Sequence, residues 1–263
     1  MDGEQVHPML NKVPRITALF WITKVMTTGM GESASDYFTH TLGRLTATSI
    51  AGALLALSLV AQMAMRRYVV WAYWLAVVMV SVFGTMAADL LHHEANVPFW
   101  ASTAIYAVLL AAIFTAWYLV ERTLSIHTIQ TRRREGFYWA TVLATFALGT
   151  AAGDWTASNL KLGYLVSAIV FLVMMAIPAV GHWKFGLNPI LSFWCAYVIT
   201  RPVGASFADW FGASPKRHGL GFGTGPVTLV ATVIIVGLVG YLAVSERQLE
   251  SAPETPEEQP ANR

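Results

Sequence analysis

The sequence predicts an all-α, polytopic membrane protein whose eight transmembrane helices form four parallel tandem two-helix repeats. Three observations predict it. Apolar residues make up 56% of the 263 and charged residues only 12%, about half the ~25% of an average soluble domain. The charges gather in gaps between apolar stretches of about 20 residues, the length of helix that crosses a bilayer. An aromatic-tryptophan pair also recurs four times, followed each time at the same distances by a glycine and an aspartate.

The spans fall at about 14–40, 45–65, 69–92, 98–120, 136–158, 162–181, 188–212 and 223–244. They divide the chain into an N-terminal segment of about 1–12, repeats of about 13–65, 66–120, 136–181 and 187–244, a linker of about 121–135, and a polar, acidic, disordered tail of about 245–263. The opening MDGEQVHPMLNK leads into the first span without a short apolar core and small-residue cleavage site, so no removable signal peptide is expected. Basic residues set the orientation. Lys12, Arg15, Arg66, Arg67, Arg122, Arg132, Arg133, Arg134, Lys184 and Arg247 fall on one side, against Arg44, Lys161, Lys216 and Arg217 on the other. The excess places both termini in the cytoplasm of a bacterial inner-membrane protein. The single cysteine, Cys195, excludes an internal disulfide framework and a thiolate metal cluster. A net charge of +2 is too small and scattered for a nucleic-acid partner.

The repeat has a strict register. Phe20-Trp21 leads to Gly31 and Asp36, Tyr73-Trp74 to Gly84 and Asp89, Tyr138-Trp139 to Gly149 and Asp154, and Phe193-Trp194 to Gly204 and Asp209. Each glycine lies ten residues after its tryptophan and each aspartate fifteen, and the chain's fifth aspartate is Asp2. Two spans per unit give all units one orientation, so the array is parallel rather than inverted. The basic segment between the second and third units implies duplication of a two-unit half and a pseudo-twofold or pseudo-fourfold bundle. The four units resemble a family of bacterial integral membrane proteins made of four tandem two-helix repeats of unknown function, each with a characteristic tryptophan. The likeness spans about residues 13–244 and implies the eight-span architecture without a mechanism.

Four residues past each glycine stands another small residue, Ser35, Ala88, Gly153 or Ala208. Such pairs let helices approach closely in lipid, so the first helices of the units are expected to touch. Gly149→Leu should then disrupt packing, whereas Leu is expected to be tolerated at Ala168, read as facing lipid. The tryptophans' fixed distance from aspartate favours packing within the repeat over a place in the interfacial belt.

An intramembrane carboxylate costs about 2.5–3.5 kcal/mol at the bilayer centre on insertion scales, so four of them in register form a candidate cation- or proton-binding cluster. Helical spacing puts Glu32 and His40 on the face of Asp36, and His93 on that of Asp89. The counterparts of Glu32 are Thr85, Thr150 and Ala205. Carboxylates with one or two imidazoles suit Mn2+, or Mg2+ and Ca2+ without the imidazoles. Helix capping or hydrogen bonding between repeats is the competing reading of the aspartates. Lys24 and Arg201 lie inside spans, where each pairs with an acid, snorkels or lines a wet cavity; Arg201 could balance a carboxylate and Lys24 could couple cation release to protonation.

These readings lead to a secondary transporter of a divalent metal cation as substrate, Mn2+ or similar, working as an efflux system, with Asp36, Asp89, Asp154 and Asp209 as the metal-binding candidates. No GxxxxGK[ST] run is present, so an ion gradient is the expected driving force. Neither an enzymatic activity nor a tightly bound cofactor is expected. The bilayer and the small cation are the expected partners. The alternatives are a proton-coupled carrier or channel for another small solute, and a purely structural membrane protein.

Overall fold

The computed structural model describes residues 11–251, and among them it has eight long helices and no strand. They are α1 (Ala18–Leu42), α2 (Arg44–Ala64), α3 (Val70–His93), α4 (Phe99–Glu121), α5 (Arg132–Asp154), α6 (Tyr164–Phe185), α7 (Pro189–Gly212) and α8 (Thr224–Ser251). Thr17 caps α1, Thr131 caps α5 and Asn188 caps α7, each accepting from backbone N–H groups of the first turn. Gly43 alone joins α1 to α2 at φ +81°, a conformation that glycine adopts without strain.

Six of the helices are long and apolar enough to cross a membrane; α1 and α5 are not among them. The reason is their place in the fold. The first helices of the four units form a closed inner ring in which α1 packs on α3, α3 on α5, α5 on α7, and α7 back on α1. Each second helix lies outside and leans on the first helix of the next unit: α2 on α3, α4 on α5, α6 on α7, and α8 on α1. Lys24 and Glu32 of α1 therefore face protein, while α4 and α8 present long exposed apolar faces. The chain is a multi-pass helical membrane protein with pseudo-fourfold arrangement.

An aromatic layer makes the symmetry concrete. Phe20 meets Trp74 at 5.8 Å, Tyr73 meets Trp139 at 5.6 Å, Tyr138 meets Trp194 at 6.2 Å, and Phe193 meets Trp21 at 5.6 Å between centroids. Each unit's aromatic thus touches its successor's tryptophan, and the fourth closes on the first. Trp74, Trp139 and Trp194 are buried, as packing residues and not as a belt.

Several expectations are corrected. The tail expected from 245 onward is helical to Ser251, because α8 runs past the apolar stretch; residues 252–263, like 1–10 with Asp2, lie outside the described residues. The linker packs on the bundle. Ile126 and Ile129 are buried in the same core cluster as the aromatic layer, and Trp194 Nε1 donates to the Leu124 carbonyl at 2.9 Å. Lys12, counted among the cytoplasmic-side cations, is buried against Glu135, its Nζ 2.6 Å from the carboxylate and 3.2 Å from the Met63 carbonyl. Ala168, expected to face lipid, is 0% exposed: α6 lies so closely on α7 that its inward face takes small residues, Ser167 and Ala168.

Candidate functional site

The parallel units stack equivalent positions into layers between a tryptophan end and an aspartate end. The glycine layer explains how the ring closes. A Cβ on Gly31 would strike Ser81, one on Gly84 would come 2.8 Å from Phe146 Cβ, one on Gly149 would come 2.5 Å from Arg201 Cγ, and one on Gly204 would strike Thr28. Ser81, Phe146, Arg201 and Thr28 all lie seven residues after their own tryptophans. Each glycine therefore makes room for one residue of the next unit, again cyclically.

Arg201 fills its place with a hub, at 1% side-chain exposure against 7% for Glu32. Its Nη2 pairs with the Glu32 carboxylate and donates to Thr85 Oγ1, and to Thr150 Oγ1 at 2.9 Å. Nη1 donates to the Thr28 carbonyl at 2.7 Å. Glu32, Thr85 and Thr150 are the same repeat position, eleven residues after the tryptophan, and the fourth copy is the small Ala205. One guanidinium thus gathers three units around the fourth. A family profile described as Repeat of Unknown Function (DUF347) matches residues 19–68, 72–123, 137–186 and 192–248, one match per unit. The chain belongs to the DUF347 repeat family. No curated protein and no solved structure matches it.

Toward the tryptophan end of the four DUF347 units lies the second buried cation. Lys24 is 1% exposed, with Nζ 4.0 Å from the Phe146 ring centroid and 4.4 Å from that of Tyr197. It makes no ion pair among the described residues and does not snorkel; aromatic faces hold it instead. Arg201 lies 5.6 Å from the Phe146 centroid as well, so one ring sits against both cations. Toward the tryptophan end Tyr73 and Tyr138 share a 2.6 Å hydroxyl contact, and the Lys12–Glu135 pair is buried as well.

At the other end the four repeat aspartates converge. The carboxylate of Asp89 feels the charges of Asp154, Asp36 and Glu32, and that of Asp209 feels Asp154, Asp36 and Glu32. Asp36 adds Arg217, from the loop before α8, to Glu32 and Arg201. All four are half-buried. None of their carboxylates makes a hydrogen bond or ion pair among the described residues, and Asp154, at the start of the π-helical turn Trp155–Asn159, makes no capping bond. The helices use other caps.

The histidines stand apart from this ring. His40 and His93 are exposed, and the charged neighbours of His93 are Arg44, His92 and Glu94 rather than an aspartate. Glu32 faces inward, held by Arg201. Among the described residues no three His, Cys, Asp or Glu side chains are arranged to hold a metal ion. The arrangement is a half-buried acidic layer beside a buried cationic hub.

Sequence reasoning missed the partners of Arg201 other than a carboxylate, although Thr85 and Thr150 stood in the register of Glu32. It also missed Glu135, which sits four residues before Trp139, where only this unit has an acid.

Proposed function

We propose that this chain is a secondary transporter of the bacterial inner membrane, with both termini cytoplasmic, that exports a divalent metal cation, Mn2+ or a similar ion, down a gradient-coupled cycle. The observation that carries the reading is the convergence of four unpartnered, half-buried aspartates at one end of a ring that is closed at the other. Four carboxylates, countered by Arg201 and, at Asp36, by Arg217, attract cations and repel anions. Because no three acids are arranged to chelate, the cation is met here through its water shell, as a strongly hydrated divalent ion permits. Closer ligation then belongs to a state in which the inner helices draw together. Arg201 blocks the axis beside the acidic layer, and its release from Glu32 is the step that would open the path. The same lack of a chelating group favours, as a second reading, a proton-coupled carrier of another small solute in which the aspartates carry protons only.

The test is cation flux in proteoliposomes at fixed protein density. Asp154→Asn keeps the side chain's size but removes its charge, and should abolish flux without lowering thermal stability, since the Asp154 carboxylate makes no capping bond that the change would break. A stable variant with wild-type flux would remove Asp154 from the path. Flux of protons without any divalent cation, lost in the same variant, would favour the second reading.

A further inference from the structure

On the outside of the ring, where the fourth unit closes on the first, α8 leans on α1 and stands off from α7. The gap is a cavity of about 670 Å³ walled by apolar residues of the three helices, among them Met26 and Met30 of α1, Phe207 and Phe211 of α7, and Val227 and Val230 of α8. Gly29 and Gly204 form its floor, at the crossing whose inner side carries Arg201 and Thr28. Its wall residues Phe211, Phe222, Val230 and Ile234 are exposed, so the cavity opens sideways, toward the bilayer.

A cationic loop continues from its wall. The chain leaving α7 folds back on itself, with Leu220 N–H donating to the Trp210 carbonyl at 2.7 Å and Phe222 N–H to the Phe211 carbonyl at 3.1 Å. Phe211 and Phe222 are thus the stem of the loop and part of the cavity wall at once, their rings 6.4 Å apart. The tip carries Lys216, Arg217 and His218 in succession, all exposed. Lysine is a strongly hydrated point charge and arginine offers a fork that fits phosphate oxygens. An apolar slot of small-ligand size running from the hydrocarbon zone to three consecutive basic side chains has the division of a phospholipid, tail below and anionic headgroup above.

We propose that the α1–α7–α8 seam is a binding site for an anionic phospholipid, one acyl chain in the cavity and the phosphate against Lys216 and Arg217. Zwitterionic lipids can fill the slot but lack the net charge that the loop selects. The bound lipid braces the α1–α7 crossing from outside, where α7 and α8 themselves barely meet. The proposal does not depend on what the protein transports; because Arg217 also faces Asp36, its test reads lipid retention and not flux.

The experiment uses the full chain, purified in detergent and delipidated, with phosphatidylglycerol or phosphatidylcholine added and binding read by native mass spectrometry and by melting temperature. Phosphatidylglycerol should be retained several-fold more than phosphatidylcholine and raise the melting temperature further. Lys216→Gln with Arg217→Gln should erase that preference while leaving phosphatidylcholine binding as it was. Val230→Trp, which fills the slot, should lower retention of both lipids, whereas Val233→Trp, on the exposed face of α8 and outside the cavity, should change neither. Equal retention of the two lipids by the wild type, or a preference that survives the double substitution, would overturn the proposal. Should Val230→Trp not fold, the charge pair of variants decides the matter alone.

Discussion

Alanine at Gly204 and alanine at Gly153 are chemically the same change in neighbouring inner helices, yet the ring predicts opposite signs. Replacing a helical glycine by alanine favours the fold by about 0.5–1 kcal/mol through the backbone entropy of the unfolded chain. At Gly153 the nearest atoms to a new Cβ are those of Pro202, 3.9 Å away, an ordinary contact. That gain is therefore realised in full. At Gly204 the new Cβ would lie 2.7 Å from the Val25 carbonyl oxygen and 2.8 Å from the Gly29 nitrogen. Both are backbone atoms, so no rotamer change relieves the clash and α1 must move off α7. Overpacking of this kind costs about 1–3 kcal/mol and occasionally more. The same displacement lengthens the 2.7 Å bond from Arg201 to the Thr28 carbonyl, a charge-assisted bond worth about 1.5–3 kcal/mol. A net loss of about 2–5 kcal/mol follows. Melting temperature in detergent micelles, followed by circular dichroism, should fall by roughly 5–15 °C for Gly204→Ala and rise by roughly 1–3 °C for Gly153→Ala. A Gly204→Ala protein that melts at or above the wild-type temperature would refute the close crossing and with it the closed ring.

Three further outcomes are expected. In a double-mutant cycle, Arg201→Gln and Glu32→Gln should each destabilise by about 3–5 kcal/mol, as breaking a buried pair does, and the double variant should lose much less than their sum; additive losses would show that the pair is not coupled. Glu135→Gln strands the buried Lys12 ammonium, so tryptic cleavage at Arg132 and Arg133, both exposed, should quicken several-fold relative to wild type. Unchanged cleavage would mean that the linker is held by Ile126 and Ile129 without the ion pair. For orientation, a single thiol in a Cys195→Ser background belongs at His127, which is exposed, and not at Ser125, whose hydroxyl accepts from the His127 N–H. A membrane-impermeant maleimide applied to intact cells should leave it unlabelled, and ready labelling would invert the topology.

The register of the four units was readable because spacing is a one-dimensional property. The tryptophan, glycine and aspartate columns each become a physical layer, and Thr85 and Thr150 fall where the counterparts of Glu32 should. The partner relations between units were not readable in the same way. A tandem array says that equivalent helices meet, but not that each glycine receives the residue three positions earlier in the next unit; that offset comes from how neighbouring inner helices are shifted along the axis. Lys12 and Glu135 escaped because each sits in a segment that reads as a connection, and burial of a connection depends on what lies beneath it. The segment LSIHTI did carry a signal, since Leu124, Ile126 and Ile129 are apolar in an otherwise basic and polar stretch. His40 and His93 show the reverse error. Sharing a helical face with an aspartate places a side chain within reach of it only if the face still points inward, and at the ends of α1 and α3 it does not.

A ring closed by its last unit also has a history in time. During synthesis α1 enters the bilayer first, carrying Glu32 and Lys24, while the guanidinium that will meet Glu32 lies 169 residues further along the chain. At ordinary elongation speeds of about 5–20 residues per second, that carboxylate waits about 10–30 s for its partner. Throughout the interval α1 has neither α7 nor α8 against it, and an unshielded acid in the hydrocarbon zone, like the Lys24 ammonium on the same helix, is costly to hold there. The first helix made is the last one sheltered, so the vulnerable period of this protein's life falls between the insertion of its first and seventh helices, and a nascent chain stalled before α7 is the form that membrane quality control would meet.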